Sequence, residues 1–288
     1  MNDRRTTLIL ETNAISLPSM TNCVLNHVIF GDTNICDKWE SDTRVNQNWL
    51  DAKARLESQG EAYVSCPMVL IELLSRLIKP EPEYFSDDLQ SFIFQSNNAQ
   101  NSFLTFPGKF VLRTVLDTDS PISRFQGADF SQWAKLVLSA PSRQSIASAE
   151  VELGSSSISY GLDFDVIRDQ HKEGRIKFAE QMAQWRASGA IPARQEVARG
   201  FLRSQGIIPG DGDTEAIADA LDAAYHYQIG LAGQDDSYDY TAQKHRGDWV
   251  DSQLLYYLAD PSLHILTNDR GLKNRCARSK QAERIIIL

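Results

Sequence analysis

The sequence lacks the long apolar runs that mark membrane and secreted proteins. No apolar stretch approaches the about 20 residues that a membrane-spanning helix needs. Near the start, Arg4 and Arg5 precede a short apolar run, but Glu11 interrupts it and no small-residue cleavage site follows. We therefore expect neither a signal peptide nor a membrane partner.

Paired cysteines and clustered histidines are missing too. The 4 cysteines, Cys23, Cys36, Cys66 and Cys276, show no CxxC spacing, and three of them lie in or beside apolar stretches. This pattern predicts reduced, structural thiols and a cytoplasmic location. The 5 histidines are scattered along the chain, so we expect no zinc site.

Positive charge is scarce, and what there is lies unevenly. The net charge of -9 excludes a uniformly basic nucleic-acid-binding protein. From residue 270 to 288, however, six basic residues face one acid, a net of +5 that leaves -14 on residues 1 to 269. The basic side chains are Arg270, Lys273, Arg275, Arg278, Lys280 and Arg284. This segment is either a solvated face or a rim that contacts phosphates.

Strand and helix patterns alternate at both ends of the chain. Strands are predicted at Val28–Phe30, Ala62–Cys66, Leu263–Thr267 and Arg284–Leu288, with Lys109–Leu116 as a further candidate, and helices at Asn46–Gln59, Met68–Ile78, Asp163–Ala187, Thr214–Ala232 and Asp248–Ala259. This order predicts an α/β fold with a parallel sheet covered by helices. We divide the chain into an N-terminal extension (residues 1–26), an α/β core (27–129 and 240–288) and a mainly helical insertion (130–239).

Acidic residues occupy awkward positions in these elements. Asp32 follows the first strand, Glu72 lies in the apolar helix "VLIELLSRL", Asp251 opens the apolar side of another helix, and Asp269 follows the strand "LHILTN". Each has a structural explanation, as a turn residue, a first-turn acid or a helix-surface pair. In an open parallel sheet, however, the ends of strands line the ligand crevice. Together the four carboxylates would repel one another unless a hard cation such as Mg²⁺ or Mn²⁺ neutralised them.

The ordered set of motifs resembles the PIN-domain ribonucleases. "VIFGDTNI", "SCPMVLIELLSRL" and "DSQLLYYLADPSLHILTNDRGL" are similar to the successive motifs of that family. The resemblance covers about a third of the chain, residues 27 to 79 and 246 to 288. It implies a three-layer α/β/α fold with a mostly parallel sheet, and a metal-dependent endoribonuclease that uses Asp32, Glu72, Asp251 and Asp269.

The resemblance also implies roles for neighbouring residues. Asn34, Thr267 and Asn268 would hydrogen-bond the metal ligands, and Arg270, Lys273, Arg275, Arg278 and Lys280 would bind the substrate backbone. Mg²⁺ or Mn²⁺ is the expected cofactor and RNA the expected partner. Analogy with the family leaves open a toxin or defence role, an inhibitor or antitoxin-like protein partner, and a homo-oligomer.

Two departures from the family pattern leave alternatives open. Asp248 lies three residues before Asp251 on the same helix face, so either or both could be the third ligand. "LILETN" resembles the first motif with Glu11 as its acid, but it lies farther from Glu72 than is usual, which favours Asp32. The rival functions are a flap-type DNA nuclease and a non-catalytic PIN-like module that binds RNA or protein.

Overall fold

A computed structural model describes the parts of the chain from which the site is built. The described residues are 28–31, 104–116, 164–234, 237–242, 245 and 247–287, together with 47, 51, 52, 54, 55, 58, 62–64, 66–69, 72 and 89. Asp32, Asn34, Cys23, Cys36 and the "LETN" segment lie outside them.

Four parallel strands form one sheet in the order β2-β1-β3-β4. They are β1 (Val28–Gly31), β2 (Ala62–Tyr63), β3 (Leu263–Thr267) and β4 (Ile285–Ile287). The parallel pairing agrees with the sheet that the alternation of strands and helices predicts, and the three-layer arrangement stays a prediction. The two central strands, β1 and β3, come from opposite ends of the chain, so their carboxyl ends bring distant sequence together.

The remaining described elements are mostly helices. They are α1 (Pro107–Leu116), α2 (Phe164–Ser188), α3 (Arg194–Ser204), α4 (Asp211–Ala220), α5 (Asp222–Ala232), α6 (Gly247–Leu254) continued by a 3-10 turn (Leu255–Ala259), α7 (Arg270–Arg275) and a 3-10 turn at Ala282–Arg284. The described residues between 47 and 58, and residues 67–69 and 72, are also helical, in agreement with the helices predicted there. Within the described part of the chain, no helix is both long and apolar enough to cross a membrane.

The candidate strand Lys109–Leu116 was wrong, because this segment lies in helix α1. Pro107 occupies the first turn, where a proline fits a helix without losing a hydrogen bond. Phe110 and Val111 are buried side by side, whereas Arg113 is exposed. Phe110 contacts the ring of Tyr257, and Val111 belongs to a different buried cluster, so α1 packs on two sides.

The predicted helix Thr214–Ala232 is two helices, α4 and α5, that meet at Leu221. The backbone groups at this break are hydrogen-bonded by a side chain from far along the chain. The Gln281 side chain donates to the Ala220 carbonyl at 2.9 Å and accepts from the Ala223 N–H at 2.9 Å. Because the partner is 58 residues beyond Ala223, no local pattern could have indicated the break.

One hydrophobic core joins the sheet to helices of the predicted insertion. Phe178 and Met182 of α2, together with Leu231 of α5, belong to the same buried cluster as Ile265 of β3 and Ile285 of β4. A second cluster lies between α1, α3 and α4. Helices α2 and α5 therefore form part of the support for the strands, and the division into core and insertion stays a prediction.

Both cysteines in the described part of the chain fit the expected role of structural thiols. Cys66 and Cys276 are buried thiols that form no disulfide with each other. Burial and the nearby Asp251 raise the pKa of the Cys276 thiol to about 12. Cys276 is therefore a protonated core residue at neutral pH.

Candidate functional site

Helix α6 presents Asp248 and Asp251 to the same tyrosine. Residues three apart on a helix share a face, and this face is turned toward helix α5. The Tyr227 hydroxyl lies 3.0 Å from Asp251 Oδ2 and 3.4 Å from Asp248 Oδ1. Tyr227 is fully buried, so packing fixes its ring and its hydroxyl stays within hydrogen-bond distance of both carboxylates.

Asp248 is held by a second tyrosine, Tyr238. The Tyr238 hydroxyl donates to Asp248 Oδ2 at 2.6 Å. Burial raises the pKa of Asp248 even though Tyr238 and Arg275 act in the opposite direction. Burial and the neighbouring acids also raise the pKa of Tyr227 and of Tyr238. Both phenols therefore stay protonated and act as hydrogen-bond donors to the acids.

Asp269 is fixed where β3 passes into α7. Its carboxylate accepts from the Gly271 N–H at 2.6 Å and caps the helix. Its own N–H donates to the hydroxyl of the buried Thr267 at 2.9 Å. Thr267 thus orients the turn that carries Asp269, and its predicted role beside a metal ligand stays a prediction. The side chain of Asn268 is half-buried, and its predicted role stays a prediction.

Arg275 brings a positive charge to these acids from the end of α7. Burial alone would lower the pKa of its guanidinium, but Tyr227, Tyr238, Asp248 and Asp269 together raise it. The guanidinium carbon lies 5.5 Å from the centre of the Tyr227 ring. We call Asp248, Asp251, Asp269, Tyr227, Tyr238 and Arg275 the carboxylate cluster.

Gly230 of α5 makes room for Arg275. A Cβ on Gly230 would lie 3.2 Å from Arg275 Cγ, whereas one on Gly271 would lie 2.9 Å from Asp269 Oδ1 and only in ordinary contact with Arg275. The arginine side chain thus occupies a slot between α5 and α7. Packing therefore fixes the Arg275 side chain, which is not a loosely held surface residue.

The other predicted ligands relate to the cluster in different ways. Strand β1 ends at Gly31, which pairs with Leu266 of β3, three residues before Asp269. Asp32 and Asn34 follow Gly31 in the sequence but lie outside the described residues. Glu72 is helical and half-buried. The convergence of Asp32 and Glu72 with the three later acids therefore stays a prediction.

The basic C-terminal segment does not present one uniform face. Arg270 and Arg278 are exposed and Lys273 is half-buried. Lys280 is exposed, but its ammonium lies 2.9 Å from Asp219 Oδ1. The guanidinium of Arg284 donates to the carbonyls of Asp260, Leu263 and Leu258, which gives it a structural role. Contact with a substrate backbone stays a prediction for the others.

Sequence reasoning missed Tyr227 and Tyr238. They lie 21 and 10 residues before Asp248, in an apolar helix and an acidic loop, and neither segment carries a motif. A buried tyrosine usually hydrogen-bonds a polar partner. That rule indicates that Tyr227 would have a partner but not which one.

The described residues do not by themselves form a metal-binding group. Among them, no group of three or more His, Cys, Asp or Glu side chains is arranged to hold a metal ion. The chain matches no protein-family model, no curated protein and no solved structure. The PIN-like interpretation thus rests on the motifs of the sequence.

Proposed function

We propose that the protein is a divalent-metal-dependent nuclease, with RNA as the expected substrate, built on a PIN-like three-layer α/β/α fold. The observation that supports this most is the shared hydrogen bonding of Asp248 and Asp251 to Tyr227, with Arg275 interacting with both Asp248 and Asp269. Two carboxylates held beside each other in this way would offer oxygen ligands to a cation.

The chemistry of these side chains fits a hard divalent cation. Mg²⁺ and Mn²⁺ prefer carboxylate oxygens, and the raised pKa of Asp248 means that its buried anion lacks sufficient compensating charge. Asp251 and Asp269 would hold the cation, with Asp248 beside them and Asp32 and Glu72 as further ligands. A bound cation would supply an activated water and charge stabilisation at the scissile phosphate.

The protein's own groups would prepare the site for this chemistry. Tyr227 and Tyr238 hold the carboxylates at fixed distances, and the hydroxyl of Thr267 orients the turn of Asp269. Arg275 places a guanidinium beside the acids, where it could bind a non-bridging phosphate oxygen. The half-buried position of Arg275 favours contact with the reacting phosphate over contact with the flanking backbone.

The same arginine favours a second candidate, a non-catalytic module that binds nucleic acid. Arg275 raises the positive potential at Asp248 and Asp269 without any metal. If that charge balances the acids, the cluster is a structural polar network and the basic segment alone contacts the strand. The two candidates differ in whether a divalent cation binds at all.

Cleavage of labelled single-stranded RNA and DNA, with Mg²⁺, Mn²⁺ or chelator, tests the proposal. Asp251→Asn and Asp269→Asn should each abolish cleavage, because asparagine keeps the shape of the side chain and removes the charge that binds the cation. Asp213→Asn, at an exposed position in the first turn of α4, is the matched control and should cleave like the parent. Circular dichroism checks that all variants are folded.

Metal binding separates the two candidates independently of activity. Mn²⁺ should raise the melting temperature of the parent and of Asp213→Asn but not that of Asp269→Asn, because a ligand that binds the native state stabilises it. Cleavage that persists in chelator, or in both cluster variants, would refute the proposal. Absence of cleavage together with no Mn²⁺ effect on the parent would support the non-catalytic module.

A further inference from the structure

A pocket open to solvent lies between helix α2 and the segment of residues that precedes α6, among them Tyr240, Thr241 and His245. Its wall includes Arg175, Ile176 and Phe178 from α2, Tyr240 and His245 from the segment, and Trp249 from α6. Four aromatic rings and a guanidinium thus line a space that the proposed catalytic residues do not occupy.

The aromatic wall of this pocket is rigidly held. Trp249 lies so close to α2 that a Cβ on Gly174 would be 2.6 Å from its Cζ2. The His171 ring meets the Trp249 ring edge-on at 5.0 Å. Burial and then Arg175 lower the pKa of His171 to about 4, so this histidine adds no charge at neutral pH.

Tyr240 is fixed from two sides. Its hydroxyl donates to the Leu231 carbonyl at 2.9 Å, and the Arg186 guanidinium lies 4.8 Å from the centre of its ring. Tyr240 is buried, whereas Trp249 and His245 keep part of their surface open. A rigid wall with open ring surface binds a flat apolar group at a small entropy cost.

The pocket is joined directly to the carboxylate cluster. The ring of His245 stacks on that of Tyr238, with centres 3.8 Å apart. The Tyr238 hydroxyl in turn donates to Asp248, and Trp249 is the next residue after Asp248. A group bound in the pocket would therefore lie one side chain away from the proposed catalytic acids.

We propose that this pocket takes one unpaired nucleobase of the substrate strand, beside the phosphate that is cut. This inference rests on the proposed function. Bases stack on aromatic side chains with little dependence on sequence, and an arginine at the rim suits the adjoining phosphate. A base within a duplex is already stacked and paired, so the pocket selects single strands.

Binding of a labelled single strand and of an abasic strand with the same number of phosphates tests the pocket. Fluorescence anisotropy in Ca²⁺ and in chelator gives both affinities. The intact strand should bind the parent about tenfold more tightly than the abasic strand, which is the usual effect of one stacked base. Trp249→Ala and His245→Ala should reduce this preference toward unity while binding of the abasic strand changes little.

A matched pair of charge variants on α2 distinguishes a contact made in the pocket from a general effect of lost positive charge. Arg175→Ala removes a cation that lines the pocket, and Lys177→Ala removes one that is exposed and paired with Glu173 at 2.6 Å. Arg175→Ala should weaken binding of the intact strand several-fold more than Lys177→Ala does. His245→Ala leaves the contact of Trp249 with Gly174 intact and decides the matter if Trp249→Ala does not fold.

Equal binding of intact and abasic strands by the parent, or binding of neither, would overturn the pocket. An unchanged preference in His245→Ala together with Trp249→Ala would do so as well. Metal-dependent cleavage together with equal binding of intact and abasic strands would contradict the base-binding pocket but not the proposed function. A base-dependent affinity without cleavage in any metal would support the base-binding pocket and contradict the nuclease activity.

Discussion

At the residue scale, two helical glycines differ in their surroundings. Gly174 of α2 lies under the indole of Trp249, whereas Gly200 of α3 has no atom within 4 Å of the place where a Cβ would be. Sequence alone treats both as weak points in a helix, since glycine costs about 1 kcal/mol relative to alanine there. Only the packing shows that Gly174 is needed for a close contact and that Gly200 is not.

Replacing each glycine by alanine should therefore change stability in opposite directions. Gly200→Ala should raise the free energy of unfolding by about 0.5–1 kcal/mol through helix propensity. Gly174→Ala should lower it by about 1–2 kcal/mol, because the new Cβ overlaps an indole ring that cannot easily move aside. Urea unfolding measures both, and a stabilised Gly174→Ala protein would contradict the close packing of Trp249.

At the element scale, Lys280 and Gln281 of the C-terminal segment hydrogen-bond to the junction of α4 and α5. The Gln281 side chain bonds to Ala220, Ala223 and Leu258, and the backbone N–H of Lys280 donates to the buried Asp222. Arg194 of α3 completes this arrangement through an ion pair with Asp222 at 3.0 Å. Three helices and the segment before β4 are thus joined by buried polar contacts.

Gln281→Ala should destabilise the protein by roughly 2 kcal/mol or more, because it removes the side-chain partner of the buried Ala223 N–H and of the Ala220 carbonyl. The Leu258 carbonyl keeps the bond that Arg284 donates. The matched control is Gln195→Ala, which loses one exposed hydrogen bond to Glu215 and should change stability by less than about 0.5 kcal/mol. Chemical unfolding followed by circular dichroism compares them. Similar losses in the two variants would show that the Gln281 contacts do not hold the junction.

At the scale of the whole molecule, the distribution of charge should govern substrate binding. The +5 segment at the C-terminus begins directly after Asp269, on a chain that otherwise carries -14. Within the segment, Arg270 and Arg278 are exposed, whereas the ammonium of Lys280 is paired with Asp219. The side chains that remain to contact phosphates are thus fewer than the sequence indicates.

Arg270→Ala combined with Arg278→Ala should lower the slope of log affinity against log salt by about 0.7 for each lost phosphate contact to a single strand. Lys280→Ala should lower it less, because Asp219 already neutralises that lysine. Affinity measured over a salt series, with a strand that is not cut, gives the slopes. Equal slopes for parent and double variant would make the segment a solvated face.

The sequence by itself determined the type and order of most elements. Apolar runs predicted strands at Val28–Phe30 and Leu263–Thr267, where β1 and β3 lie, and periodicity predicted α2 to within a residue at each end. These inferences succeed because burial and backbone preference act over short stretches of chain. The acids Asp32, Glu72, Asp251 and Asp269 were singled out from their awkward positions, with Asp248 as an alternative to Asp251, and their role as metal ligands stays a prediction.

Only the tertiary structure decided which distant groups meet. It brought Tyr227 and Tyr238 to the acids, turned Arg275 toward Asp248 and Asp269, and divided one predicted helix at Leu221 through the contacts of Gln281. It also made a helix of Lys109–Leu116, whose apolar residues suit either period, by packing it on two sides. Such outcomes depend on side chains far apart in sequence, and no local pattern encodes the partner across the fold.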